Sequence, residues 1–226
     1  MQYERPLWRA KLANTLPWKL QRLAPGVITS KWQLLAEASA DAFKPLGTKA
    51  VVAIPVLTGL MHNTNAPQTA FRAMRALSHL GTNGLPPLIA AGQDPQYTLH
   101  FWVVATLGFM PTNTASATMI TPLLIQWLSD TSSPQIPPIA AMALGRNHCA
   151  PQLSVPALAN CVASAGASAQ LRHAAVQSLI GFGDQATDAL PALTNALTDP
   201  SFSVRYAATN ALREIAPYAL APARPQ

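Results

Sequence analysis

One short pattern, an apolar residue followed by proline, any residue and another apolar residue, recurs along the chain and restricts its fold more than any other feature. It reads Ile54-Pro55-Val56-Leu57, Leu85-Pro86-Pro87-Leu88, Val155-Pro156-Ala157-Leu158 and Leu190-Pro191-Ala192-Leu193, with Thr121-Pro122-Leu123-Leu124 as a looser copy. The prolines stand 31, 36, 34 and 35 residues apart. A period in this range is the mark of a repeat array, in which each unit is one supersecondary element. Proline is accommodated at the first position of a helix, where its missing N–H would be unpaired anyway. Each of these prolines is therefore expected to start a helix, here called B.

Upstream of each proline lies a second apolar segment ending in an anchor: Phe43, Leu77, Leu107, Leu144 and Leu179, with Leu212 as a sixth. The anchor precedes the proline by 12 residues in three units, by 9 in the second and by 15 in the third, which predicts one shortened and one lengthened loop. The segments themselves have helical spacing, as in Leu171, Ala174, Ala175, Leu179 and Phe182. Gly47, Gly81 and Gly183 follow the last apolar residue, where a helix often ends in a left-handed glycine. These are helices A. Eight residues after each proline stand Asn63, Asp94, Asp130, Ser164 and Asp199, all formers of turns and caps. The unit is helix A, a short loop, helix B and a polar turn. Five units run from about Trp32 to Asp199, a sixth has only its A helix, and about a dozen helices with no strands are expected.

The phrases at 42–57 and 199–212, Ala-Phe-Lys-Pro-Leu-Gly through Ile-Pro-Val-Leu and Asp-Pro-Ser-Phe-Ser-Val-Arg-Tyr-Ala-Ala-Thr-Asn-Ala-Leu, resemble HEAT repeats. The resemblance covers roughly residues 32–216. It implies an all-α, right-handed α-solenoid of the armadillo/HEAT-like type, with about five helical hairpins plus a terminal helix. It also implies a ladder, in which an Asp closing helix B pairs with an Arg early in the next helix A. Asp199 and Arg205 keep that spacing; His100 follows Asp94, and Gly166 precedes Arg172 where an Asp would stand. So broken a ladder points to reliance on apolar packing. The chain divides into a basic leader at 1–31, the solenoid at 32–216 and a proline-rich tail at 217–226.

Half of the residues are hydrophobic and only 11% are charged, against about 25% in ordinary soluble domains. Much of the surface must therefore be buried in the chain or against a partner. No apolar run approaches the ~20 residues of a membrane-spanning helix, and the start lacks a signal-peptide core. The expected compartment is the cytoplasm. The net charge of +6 is concentrated in the leader, where six basic residues face Glu4 alone.

That leader carries Arg5, Trp8, Arg9, Lys11, Trp18, Lys19 and Arg22. Leu7, Trp8, Leu12, Leu16, Leu20 and Leu23 share one helical face, which Pro17 interrupts. The segment reads first as a cap over the open end of the stack. The alternative is a basic amphipathic segment that lies on an anionic membrane or reaches nucleic acid. It also looks like the segment preceding the repeats in some bacterial families of HEAT-repeat proteins.

Catalytic chemistry finds little support. The five histidines show no paired metal spacing, and Cys149 and Cys161 match neither a disulfide framework nor a zinc pattern. One cluster, His148, Cys149, Cys161 and His173, has the spacing to converge across a hairpin as a metal or thiol site. Five of the nine acidic residues fall in expected turns, which leaves few carboxylates for acid–base work. No catalytic residue, metal site or cofactor is expected, and the chain reads as a non-enzymatic protein-binding scaffold.

The resemblance admits one other class, HEAT-like enzymes and nucleic-acid binders such as alkylpurine DNA glycosylases and phycobilin lyases. A glycosylase of that kind needs a basic concave groove. In a HEAT solenoid the B helices line the concave face, so the rows four and seven residues past each proline test the requirement. They are Gly59, Ala90, Gln126, Asn160 and Asn195, then His62, Gln93, Ser129, Ala163 and Thr198. Neither row holds a Lys, Arg, Asp or Glu, which disfavours phosphate binding there. Gln126, Asn160, Asn195, His62, Gln93 and Thr198 are the candidate partner surface; the competing reading makes them ordinary solvent-facing residues.

Overall fold

The computed structural model describes residues 40–110 and 114–217. Among them the secondary structure is helical throughout: α1 (Phe43–Leu46), α2 (Ile54–Met61), α3 (Pro67–Ser78), α4 (Leu85–Gln93), α5 (His100–Phe109), α6 (Thr114–Trp127), α7 (Ile136–Asn147), α8 (Pro151–Ala163), α9 (Ala169–Ile180), α10 (Leu190–Asn195) and α11 (Phe202–Ile215). The odd-numbered helices are the A row and the even-numbered ones the B row of an α-solenoid. Each A helix from α3 onward packs on the next A helix, and each B helix from α2 onward also packs on the A helix that follows it. None of the described helices is long and apolar enough to cross a membrane.

Burial follows the repeat. The anchors Leu77, Leu107 and Leu179 are 0% exposed, Leu144 and Leu212 are 1% exposed, and Phe43 packs against the same core. The leucines two residues after each proline, Leu57, Leu88, Leu124, Leu158 and Leu193, are buried as well. Two leucine rows thus run through the stack, each side chain contributing about 1.5–3 kcal/mol by leaving water. Stacking is what buries them, since a lone hairpin would leave one face open.

The connections match the expected turns at most positions. Gly81 and Gly183 have positive φ, +62° and +53°, and each leads into a 3-10 turn. Gly47 likewise opens a 3-10 segment, Gly47–Ala53. Asp94, Asp130 and Asp199 each accept a backbone N–H from two residues ahead, from Gln96, Ser132 and Ser201. Asn63 and Ser164 also lie in the turns that close their B helices.

Two of the five prolines depart from the expected place. Pro55, Pro86 and Pro191 are second in their helices, but Pro122 and Pro156 lie inside α6 and α8. The long third interval is therefore helix, not loop. An interior proline is tolerated here because its ring points to solvent in both helices. The carbonyl that loses its N–H partner, four residues back at the exposed Thr118 in α6, can be hydrated. Restoring the N–H should then stabilise: Pro122→Ala is expected to gain about 1–2 kcal/mol in urea denaturation, the helix gain of about 3 kcal/mol being partly offset by a freer unfolded chain.

Candidate functional site

The B helices turn one continuous face to solvent. Pro55, Pro86, Pro122, Pro156 and Pro191 are all exposed, and so is every residue four and seven positions beyond them. Gln126, Asn160 and Asn195 thus share a face with His62, Gln93 and Thr198, as the offsets predicted. The reason is helical geometry: the leucine two residues after each proline is buried, and four or seven residues return to the proline's own side. Asp130 and Asp199, one residue beyond the second row, belong to the turns.

A cleft of about 630 Å³ lies on this face between the third and fourth units. Ile125, Leu128, Ala157 and Leu171 give it an apolar floor, while Ser129, Asp130, Asn160 and Ser168 supply polar groups at its edge. It joins a residue of each predicted row, Ser129 and Asn160. Offsets from prolines did not reveal the cleft itself, because its other wall comes from Pro134, Pro137 and the turn at 166–168. Asp130 is engaged by the backbone N–H and hydroxyl of Ser132 at 2.8 and 2.6 Å, which fixes the carboxylate.

Local bonds hold part of the row in place. His62 Nδ1 lies 2.8 Å from the Thr58 carbonyl, and its ring meets Tyr97 edge to face at 5.5 Å. Tyr97 is buried and donates its hydroxyl to the Met61 carbonyl at 2.8 Å, tying the first B helix to the turn before α5. Burial pushes the Tyr97 phenol up to about 12, so the group stays neutral as a donor. Tyr97 escaped the sequence reading because it stands in a turn, outside any helical period. The Thr198 hydroxyl donates to the Asn195 carbonyl at 2.9 Å.

The four residues spaced to form a metal or thiol cluster are not brought together. The His148 ring packs on Phe182, Cys149 Sγ lies 3.4 Å from the Thr118 hydroxyl, and His173 Nδ1 lies 3.1 Å from the Ser203 carbonyl. Cys161 lines the cleft alone, and burial pushes its thiol up to about 11, which keeps it protonated and poorly nucleophilic at neutral pH. Among the described residues no three His, Cys, Asp or Glu side chains are grouped to hold a metal ion. The basic leader residues Arg5, Trp8, Arg9, Lys11, Trp18, Lys19 and Arg22 lie outside the described residues.

Among the described residues two charged joints tie successive units, the exposed one of Asp41 with Arg75 and His79 and a more enclosed one at Asp199. Asp199 receives Arg172 through two bonds, Nε to Oδ2 at 2.7 Å and Nη2 to Oδ1 at 3.0 Å. Arg172 also donates to the Ala167 carbonyl, and Arg205 donates to the carbonyls of Asp199 and Pro200 at 2.7 and 2.9 Å. The carboxylate thus serves the Arg of the preceding A helix, while the Arg at the expected six-residue spacing closes on backbone. The hydrogen bonds from Arg172 hold the Asp199 carboxyl below its ordinary value, with the Ser201 N–H and the nearby Arg205 adding to the effect.

Three comparisons bear on this architecture. The family described as HEAT repeats matches residues 155–223, the last units of the stack. A search of the curated proteins finds none that matches. Among solved structures, the crystal structure of an engineered protein is similar over 80% of this chain and 91% of that one, with 18% identity and a TM-score of 0.51. At that identity the likeness concerns the fold alone.

Proposed function

Since the chain is a HEAT-like repeat protein, we propose that it is a non-enzymatic scaffold that binds a protein partner along the solvent face of its B helices. The observation that carries this reading is the face itself: ten row positions on five successive B helices and the turns that close them, all exposed and none with Lys, Arg, Asp or Glu. An uncharged surface with amides at Gln93, Gln126, Asn160 and Asn195 suits a polypeptide, whose backbone needs both donors and acceptors. It does not suit a phosphate backbone, whose binding rests on cations.

The cleft between α6 and α8 is the centre of the proposed surface. Its floor of Ile125, Leu128 and Leu171 accepts an apolar side chain, and Asn160 at its rim hydrogen-bonds the partner's main chain. Buried anchors of this kind carry most of the energy of an interface, while surrounding polar contacts set register.

The test uses a partner recovered by affinity capture and then purified. Asn160→Arg with Asn195→Arg should weaken its binding at least tenfold in calorimetry, because each change sets an uncompensated charge into the interface. The circular dichroism spectrum and melting temperature should stay as in the parent, since both positions are exposed. Unchanged affinity would remove this face from the binding reaction.

A further inference from the structure

Three of the turns that close B helices share one construction: Asp94, Asp130 and Asp199 each accept the backbone N–H two residues on. What differs is the cation set beside the carboxylate. That place belongs to the residue seven before an anchor leucine, Arg172 in α9 and Arg205 in α11. Both converge on the turn of Asp199, Arg172 on the carboxylate and Arg205 on the carbonyls of Asp199 and Pro200. At Asp94 the same position of the following helix is His100, whose Nε2 lies 2.9 Å from the Asp94 carbonyl.

Asp130 has no such neighbour. The position that Arg205 holds in α11 is held in α7 by Pro137, which carries no donor, and the position that Arg172 holds in α9 is held in α5 by the His100 already turned to Asp94. Among the described residues Asp130 forms no ion pair. Both bonds from Ser132 fall on its Oδ1, so Oδ2 keeps its accepting capacity. Asp130 and Pro137 line the same cleft, in which Asp130 is the one charged residue. The arginine next to its wall, Arg172, is committed to Asp199 and the Ala167 carbonyl. The cleft thus opens where the ladder lacks its cation.

We propose that the cleft takes an arginine side chain of the protein partner, its guanidinium on Asp130 and its stem on Ile125, Leu128 and Leu171. The proposal rests on the B-helix face as the binding surface and names the partner residue that enters it. Charge complementarity selects this occupant over a wholly apolar side chain, which would strip water from the Asp130 carboxylate and return nothing. An arginine covers the apolar floor with its methylenes. Its planar fork reaches Oδ2 together with the carbonyls of Asp130 and Thr131, the counterparts of the two that Arg205 binds at the Asp199 turn. A lysine, with a compact and strongly hydrated head, matches that set of acceptors less well.

Selection of a phage-displayed library of random linear peptides on the full chain tests the proposal. The peptides recovered should share an arginine. Replacing it by citrulline, which keeps the shape and removes the charge, should weaken binding about tenfold or more. Asp130→Asn should do the same while keeping the turn, because an amide oxygen still accepts from Ser132. The two changes together should cost little more than either alone, as expected of direct partners. Asp94→Asn, at the equivalent place in another turn, should leave binding as in the parent.

Peptides without a shared arginine, no peptide recovered, or affinity indifferent to Asp130→Asn overturns the proposal. So do equal losses at Asp94 and Asp130, which would make the effect one of general charge. Peptides that ignore Asp130→Asn but are lost on Asn160→Arg with Asn195→Arg leave the B-helix face standing and remove only the arginine. Peptides indifferent to both remove the face as well.

Discussion

Gly145→Ala should lower the stability of the chain by about 1–2 kcal/mol, although alanine is the better helix former. Gly145 lies in α7 where that helix crosses α9, and a Cβ there would come within 2.5 Å of Ser178 Cβ and 2.6 Å of Ser178 Cα. A backbone atom cannot yield by rotating a side chain, so α9 must move away. Movement would break the Ser178 hydroxyl bond to the Ala141 carbonyl, 2.8 Å long and buried. Overpacking of this kind typically costs about 1–3 kcal/mol, occasionally more, and the helix-propensity gain of about 1 kcal/mol offsets only part of a clash this close.

Gly59 provides the opposing case. It also lies inside a helix, α2, but a Cβ there meets nothing within 4 Å. Gly59→Ala should therefore stabilise by about 0.5–1 kcal/mol. Chemical denaturation of both variants checks the pair, and the same sign for both would contradict the packing described. Since hairpins touch only their neighbours, Gly145→Ala should also split the transition into two steps.

Asp199→Ala should cost about 3 kcal/mol, the usual penalty for removing one partner of a buried ion pair. The side chains of Arg172 and Asp199 are only 12% and 7% exposed. Without the carboxylate, the Arg172 guanidinium keeps one backbone acceptor, and the turn loses the bond from the Ser201 N–H at 2.7 Å. Asp199→Asn should be milder, because an amide oxygen can still accept from Ser201.

The loss should depend on pH in one direction. Because the folded chain holds the Asp199 carboxyl below its ordinary value, its contribution is complete above about pH 4–5, the upper edge of the unfolded titration. It falls away as pH drops through the folded value. Stability differences between parent and Asp199→Asn should thus be flat from about pH 6 to 8 and shrink below about pH 4. A difference that grows in acid would reverse the assignment.

The repeat was legible because its signals are local and periodic. An anchor leucine, a proline and a polar residue at fixed offsets require only helix geometry, and the rows counted from the prolines are exposed at all ten positions. Helix starts were less legible. A proline marks where an N–H is dispensable, and both a first turn and a solvent-facing interior position satisfy that condition, as Pro191 and Pro122 show. Tyr97, the Arg172–Asp199 joint and the cleft wall at Pro134 and Pro137 depend on residues from different units meeting in space. Offsets within a unit carry no such information. The glycines at 108 and 145 look like helix weaknesses in sequence and become crossing points only once α7 and α9 are set against their neighbours.

The close crossing at Gly145 and Ser178 bears on how the molecule can bend. At α5–α7 and α7–α9 the A helices are pressed together through small residues with no slack, whereas contacts between successive B helices are sparser and a cleft interrupts them. The A row acts as an inextensible spine and the B row as its compliant side, so flexing would widen or narrow the space beside Asn160 while leaving the leucine core intact.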